Sequence, residues 1–200
     1  MSNIKCAWPK GSSKEIIRLF QAAGYSLPSD IDESRKYTIS GQHIDYILVK
    51  PQDVPILVEY GAADIGIAGK DALLEQRREV IELLDLGTNR SRLAVLGASK
   101  KQPFHDITVG TGHPQIATAY FAAHKIQANV ITLSGNLQTA LSSRLADAVV
   151  DKVEEEHAAQ SSPLHETIMH ISDRLIVNRV SYALKYRQID SICSALSLVL

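Results

Sequence analysis

Short apolar strand-like runs alternate with amphipathic helical stretches along nearly all of this sequence, and this predicts an α/β fold with mainly parallel sheets. The alternation falls into two blocks, one opening at Ile4 and the other near Arg92, which predicts two lobes. A cleft between them is the expected ligand site, because strand-to-helix turns from each lobe converge there. With 200 residues, 45% of them hydrophobic, the chain suffices for one sizeable domain or two small ones.

The elements follow in order. "IKCAW" is a short strand stopped by Pro9, and "SSKEIIRLFQAAG" carries Ile16, Ile17, Leu19, Phe20 and Ala23 at helical spacing before Gly24 closes it. "RKYTIS" and "IDYILVK" predict a strand pair joined by the polar turn "GQH", and "PQDVPILVEYG" a short helix ended by Gly61. "ADIGIAGKDALLEQ" reads as a strand running through a glycine-bearing turn into a helix. In the second block, "RLAVLG", "DITVGT", "ANVITLSG" and "DAVVDKV" are strands, while "HPQIATAYFAAHK" and "NLQTALSSRLA" are helices. "RLIVN" and "YRQIDSICSALSLVL" close the pattern as strand and helix.

The formal charge of -1, without a Lys/Arg-rich block, gives no concentrated basic face for nucleic acid or an anionic membrane. Small molecules are the expected ligands. "MSNIKCAWPKG" lacks the apolar core of a signal peptide, and no apolar run approaches a membrane span, so a cytoplasmic location is expected. Cys6 and Cys193 show no metal-ligand spacing and are expected to be buried thiols. The histidines form no recognisable ligand pattern either, and no metal cage is assigned.

Several turns are candidate binding elements. Lys10-Gly11 precedes a helix start, where free amides attract anions, although Ser12 or Ser13 as a simple cap explains the same residues. Arg35 and Lys50 sit at strand boundaries, from which side chains reach over a sheet edge or stand as surface charge. Asp64 inside an otherwise apolar predicted strand requires hydrogen-bond donors or a ligand, and Gly66 and Gly69 permit close backbone approach. Ser134, Gly135 and Asn136 offer amides to a phosphate or form a plain turn. Asp147 and Asp151 bracket an apolar strand, and Asp151 at its end suits ribose hydroxyls or a hydrated Mg²⁺.

In order and spacing, "PKG", "SRKYTI", "ILVKPQDVPILVEYGAADIGIAGKDALLE", "LLDLG", "RLAV", "LADAVVD" and "RLIVN" together resemble the catalytic subunit of ATP phosphoribosyltransferase in its short form. The resemblance implies a bilobal fold like the type II periplasmic binding proteins, with residues 1–90 and 174–200 in lobe one and 91–173 in lobe two. It implies the first step of histidine biosynthesis, in which N1 of ATP attacks phosphoribosyl pyrophosphate and pyrophosphate leaves. Lys10, Arg35 and Lys50 match the family's basic positions, suited to the charge that builds on the leaving group. Mg²⁺ bound with the substrate, a regulatory subunit similar to histidyl-tRNA synthetase, and a homo- or hetero-oligomeric assembly are implied as well.

One stretch departs from the family. After "ADAVVD" the family has a Thr-Gly-x-Thr-Leu loop that holds the ribose 5-phosphate, whereas this chain has "KVEEEHAAQSSPL". Ser161 and Ser162 are candidates to take over the phosphate contacts, and Glu154 to Glu156 are expected either to start a solvent-facing helical turn or to mark a site that no longer takes phosphoribosyl pyrophosphate. Ser12, Gly110, Gly112 and Gln138 also differ from the usual residues. The alternatives are therefore a repurposed or non-catalytic paralogue that binds another small ligand or acts as a regulatory subunit, and an enzyme acting on a substrate without a 5-phosphate.

Overall fold

The computed structural model describes residues 3–27, 31, 36–97, 106–154 and 164–200, with residues 154, 164 and 165 by backbone alone. In chain order the elements are β1 (Ile4–Pro9), α1 (Lys14–Ala22), β2 (Thr38–Ser40), β3 (Ile44–Val49), α2 (Val54–Glu59), β4 (Ile65–Gly69), α3 (Lys70–Gln76) and β5 (Ile81–Asp85). There follow β6 (Ser91–Leu96), β7 (Ile107–Thr111), α4 (Pro114–Ala123), β8 (Ala128–Thr132), α5 (Gln138–Ser142), β9 (Ala148–Glu154) and β10 (Leu164–Ile171). β11 (Asp173–Val177), α6 (Arg179–Leu184) and α7 (Tyr186–Ser197) complete the chain. A turn of 3-10 helix, Pro51–Asp53, leads from β3 into α2.

The chain divides into a first unit, Met1–Asn89 with Ser172–Leu200, and a second, Arg90–Ile171. The first holds a six-stranded sheet of order β2-β3-β1-β4-β11-β5. Within it β3, β1 and β4 are parallel, while β2, β11 and β5 pair antiparallel with their neighbours. The second holds a five-stranded sheet of order β10-β6-β9-β7-β8, with β9, β7 and β8 parallel and β6 and β10 antiparallel. Both sheets are thus mixed, which corrects the expectation of mainly parallel ones. Helical crossovers keep the strands they join parallel, but the turn between β2 and β3 and the strand returning from the second unit reverse direction.

Both faces of the first sheet are covered, as alternation along the strands requires. Ile4, Cys6 and Trp8 of β1 face α1 and α7, where Ile16, Phe20, Ile189, Ile192 and Leu196 close a core around them. Trp8 is fully buried, with ring centroids edge-on to Phe20 at 5.1 Å and to Tyr46 at 5.5 Å. On the opposite face Ala7, Ala68 and Ile176 meet Val54, Val58 and Leu73. In the second unit Phe121 and Ala117 of α4 cover one face, and Leu137 and Ala140 cover the other.

Gly66 shows how closely α2 sits on the first sheet. A Cβ there would stand 2.7 Å from Val54 Cγ1 and 2.8 Å from Val58 Cγ2, so the missing side chain is what lets the helix settle. Both valines are fully buried and β-branched, so neither swings aside at low cost. Gly66→Ala is expected to destabilise the protein by about 1–3 kcal/mol through overpacking, read as a lowered urea midpoint with an unchanged m-value.

Candidate functional site

The carboxyl ends of β3, β1 and β4 form one edge of the first sheet. Pro9 pairs with Val49 at the last rung of β1 and β3, and the next residues are Lys10 and Lys50. The Lys10 N–H donates to Val49 O at 2.7 Å, holding the two lysine backbones on adjacent strands, about 4.8 Å apart. Lys10 is half-buried and Lys50 exposed. Among the described residues neither has a carboxylate partner, whereas Lys70, at the end of β4, is held by Glu82 at 2.6 Å. Like charges repel, more strongly the less water lies between them. Uncompensated cations on neighbouring strands therefore favour an anion between them.

The turn after β1 leaves this edge open. Gly11 has φ +73° and nothing within 4 Å of where a Cβ would stand, so only a residue without a side chain enters this turn without strain. Ser13 caps α1 by accepting from Ile16 N–H at 3.4 Å, and the Ser12 hydroxyl donates to Pro9 O. Gly69 ends β4; a Cβ on it would meet Asp71 Oδ1 at 2.3 Å, so the glycine lets that carboxylate fold back over the start of α3.

The second sheet has a comparable edge where β7, β8 and β9 run parallel. β8 ends at Thr132 beside Thr111, and Ser134, Gly135 and Asn136 follow, all exposed. Asn136 Oδ1 accepts from Gln138 N–H at 2.9 Å, which shapes the turn, and nothing lies within 4 Å of a Cβ on Gly135. Thr111 pairs with Val150, so Asp151 stands one residue beyond the end of β7, with one oxygen taken by Lys152 N–H at 2.8 Å. Thr111 itself is fully buried; its hydroxyl donates to Val150 O at 2.8 Å and accepts from His113 N–H at 2.9 Å, fixing the turn into α4.

Three expected ligand residues serve the fold instead. Asp64 precedes β4 at the opposite, amino edge, where its carboxylate accepts from Lys5 N–H at 2.9 Å, Ser181 Oγ at 2.7 Å and Lys185 Nζ at 2.7 Å. Burial raises this carboxyl, but the bonds from Lys185, Lys5 and Ser181 outweigh it and hold it below its ordinary value. Gly66 faces α2 within the sheet and is covered by its valines. Asp147 precedes β9, also at the amino edge, and pairs with Thr108 through its own N–H and its Oδ2, both at 2.8 Å.

Lys10, Gly11, Lys50 and Gly69 are therefore brought to one edge, and Ser134, Gly135, Asn136 and Asp151 to another. Arg35, Ser161 and Ser162 lie outside the described residues. β9 continues extended to Glu154, paired with Ser91, so no helical turn begins at Glu154; Glu155 and Glu156 lie outside the described residues. Two residues of the first edge were not singled out in the sequence: Lys70, beside the glycine turn, and Tyr37, whose ring faces the Lys10 ammonium. Tyr37 lies inside the predicted strand "RKYTIS" but just before the observed β2, and nothing in the periodicity tells which side chain lies over a neighbouring strand end.

Comparison with known proteins points to one family. A family model described as "HisG: ATP phosphoribosyltransferase" matches residues 50–198. ATP phosphoribosyltransferase from Halalkalibacterium halodurans is 39% identical over 203 residues, covering 98% of this chain and 96% of that protein. The Bacillus subtilis enzyme is 40% identical over 200 residues, covering 96% and 93%. A solved structure, "ATP phosphoribosyl transferase (HisG:HisZ) complex from Thermotoga maritima", superposes with a TM-score of 0.81 at 27% identity over 98% of both chains.

The Asp64 network makes a pH-dependent contribution. The folded carboxyl titrates below its unfolded value, so this stabilisation is present above the ordinary carboxylate range and is lost as pH falls toward the lower folded value. Lys185→Met removes one charged donor and is expected to cost about 1.5–3 kcal/mol at neutral pH. Denaturant titrations of both proteins against pH should show a shallower acid limb in the variant.

Proposed function

This chain belongs to the ATP phosphoribosyltransferase family, and from that premise we propose that it joins N1 of ATP to the anomeric carbon of phosphoribosyl pyrophosphate, with Lys10 and Lys50 gripping the departing pyrophosphate. The reaction opens histidine biosynthesis. As the anomeric C–O bond breaks, its electron pair leaves with the pyrophosphate while the adenine nitrogen forms the new bond. Negative charge accumulates on the leaving group, and preorganised cations stabilise it more in the transition state than in the ground state. The observation that carries this reading is the pair of lysines beyond the Pro9–Val49 rung, with no carboxylate among the described residues to neutralise them.

Other roles in this reading follow from position. Arg35 is assigned with the lysines from the family pattern. Gly11 keeps the first edge accessible to phosphates, and Gly69 makes room for the Asp71 carboxylate at the start of α3; Ser134, Gly135 and Asn136 take the ribose phosphate, and Asp151 takes ribose hydroxyls. Ser161 and Ser162 are assigned supporting phosphate contacts. Mg²⁺ enters with the substrate: the described residues hold no group of three acidic, histidine or cysteine side chains suited to caging it, and Mg²⁺ commonly binds through substrate phosphates while keeping several waters. Bound there, it screens pyrophosphate charge. We further infer a cytoplasmic enzyme that assembles with a regulatory subunit of the HisZ type; no helix among the described residues is long and apolar enough to cross a membrane.

Incubation with Mg²⁺, ATP and phosphoribosyl pyrophosphate, with and without a HisZ-type subunit, should yield phosphoribosyl-ATP and pyrophosphate by mass spectrometry. Formation of neither product under both conditions sinks the proposal. Lys10→Met and Lys50→Met are each expected to lower kcat/KM by about 10²-fold or more. Thermal midpoints should stay near the unsubstituted value, because neither lysine makes an ion pair that supports the described fold.

A further inference from the structure

The lysines of the first unit are held in two different ways. Lys70 and Lys185 lie against Glu82 and Asp64, at 2.6 Å and 2.7 Å, and their charges are compensated. Lys10 instead places its ammonium 5.5 Å from the centroid of the Tyr37 ring. Tyr37 is 80% exposed, so its ring contributes little to the core. Its backbone is fixed, however: Tyr37 O accepts from Leu48 N–H at 2.9 Å, which sets the residue beside the last residues of β3. The ring consequently stands at the edge where β1 and β3 end, and Lys10 reaches it across the end of β3.

Building on the function proposed above, we propose that Tyr37 is the positioning residue for Lys10, holding its ammonium toward the pyrophosphate site with an aromatic face. A carboxylate would also hold the lysine, but it would cancel the charge the reaction needs and would repel the phosphates. The π face of a tyrosine attracts the cation through its quadrupole and leaves the full positive charge available to an anion. Restricting the flexible lysine stem before substrate arrives also lowers the ordering cost of binding. Tyr37 contacts no reacting atom in this scheme; it acts through Lys10.

The test is a double-mutant cycle read in two ways, as pyrophosphate affinity by calorimetry and as kcat/KM in the complete assay, on wild type, Tyr37→Ala, Tyr37→Phe, Lys10→Met and the Lys10→Met/Tyr37→Ala double variant. Tyr37→Ala is expected to weaken pyrophosphate binding and lower kcat/KM about two- to fivefold, the size of an exposed cation–π contact. Tyr37→Phe, which keeps the ring face, should recover most of that loss. In the Lys10→Met background the alanine change should add nothing further. The proposal is overturned if Tyr37→Ala matches wild type, or if its loss persists in full without Lys10. A wild type that binds pyrophosphate yet forms no phosphoribosyl-ATP overturns the reaction, while the binding cycle still decides the Tyr37–Lys10 coupling; a wild type that binds no pyrophosphate overturns both.

Discussion

One buried carboxylate ties together the two stretches of chain that make the first unit. Asp64 precedes a central strand and receives the Lys185 ammonium and the Ser181 hydroxyl from the returning segment. Close by, Asn178 accepts from Val180 and Ser181 N–H, each at 2.9 Å, and donates to Val58 O and Glu59 O at 2.8 and 3.0 Å. A single amide thereby starts α6 and finishes α2. These contacts add to the ladders that hold β11 between β4 and β5, and Leu175 and Val177 of β11 line the core that α7 closes over Trp8.

The edge bearing Lys10 and Lys50 depends on that core at one remove. Strand ends present side chains reproducibly only when the strands beneath them are rigid, and β1 is buried on both faces by α1 and α7 on one side and α2 on the other. The same sheet separates its tasks by direction. At the amino edge a carboxylate is saturated with donors and serves stability. At the carboxyl edge Lys10 and Lys50 stand without acidic partners among the described residues, which is costly for the fold and useful for binding phosphates.

How much of this was legible in the sequence follows from which residues carry local signals. The Ile16 and Phe20 periodicity of α1, its serine cap, and the largely apolar runs of β1 and β4 all correspond to observed elements, because burial imposes a pattern on neighbouring residues. β5 and β10 escaped notice: "IELLD" and "LHETIMHI" are edge strands in which polar and apolar residues mix, and edge strands are only partly buried. Asp64 was correctly read as needing donors, yet Lys185 lies 121 residues away and nothing local names it. Asp147 and Asp151 bracket one strand and the sequence sets Asp151 at its carboxyl end, but the pairing that takes up Asp147 comes from Thr108 on a neighbouring strand and has no local signal. Tyr37 was invisible for the same reason, since its partner is reached across a strand rather than along one.

The interleaved path of the chain also bears on how the molecule is made. The second unit is one continuous stretch, Arg90–Ile171, whereas the first draws on residues from both sides of it. On a ribosome the second unit can therefore close while synthesis continues, but the first has to wait with β4 exposed on the side where β11 will insert. An unpaired edge of Ile65, Ile67 and their neighbours is a sticky template during that interval. Vectorial synthesis thus makes the nascent first unit a client for chaperones until residues 172–200 emerge, and the lysine edge takes its final form late in the birth of the chain.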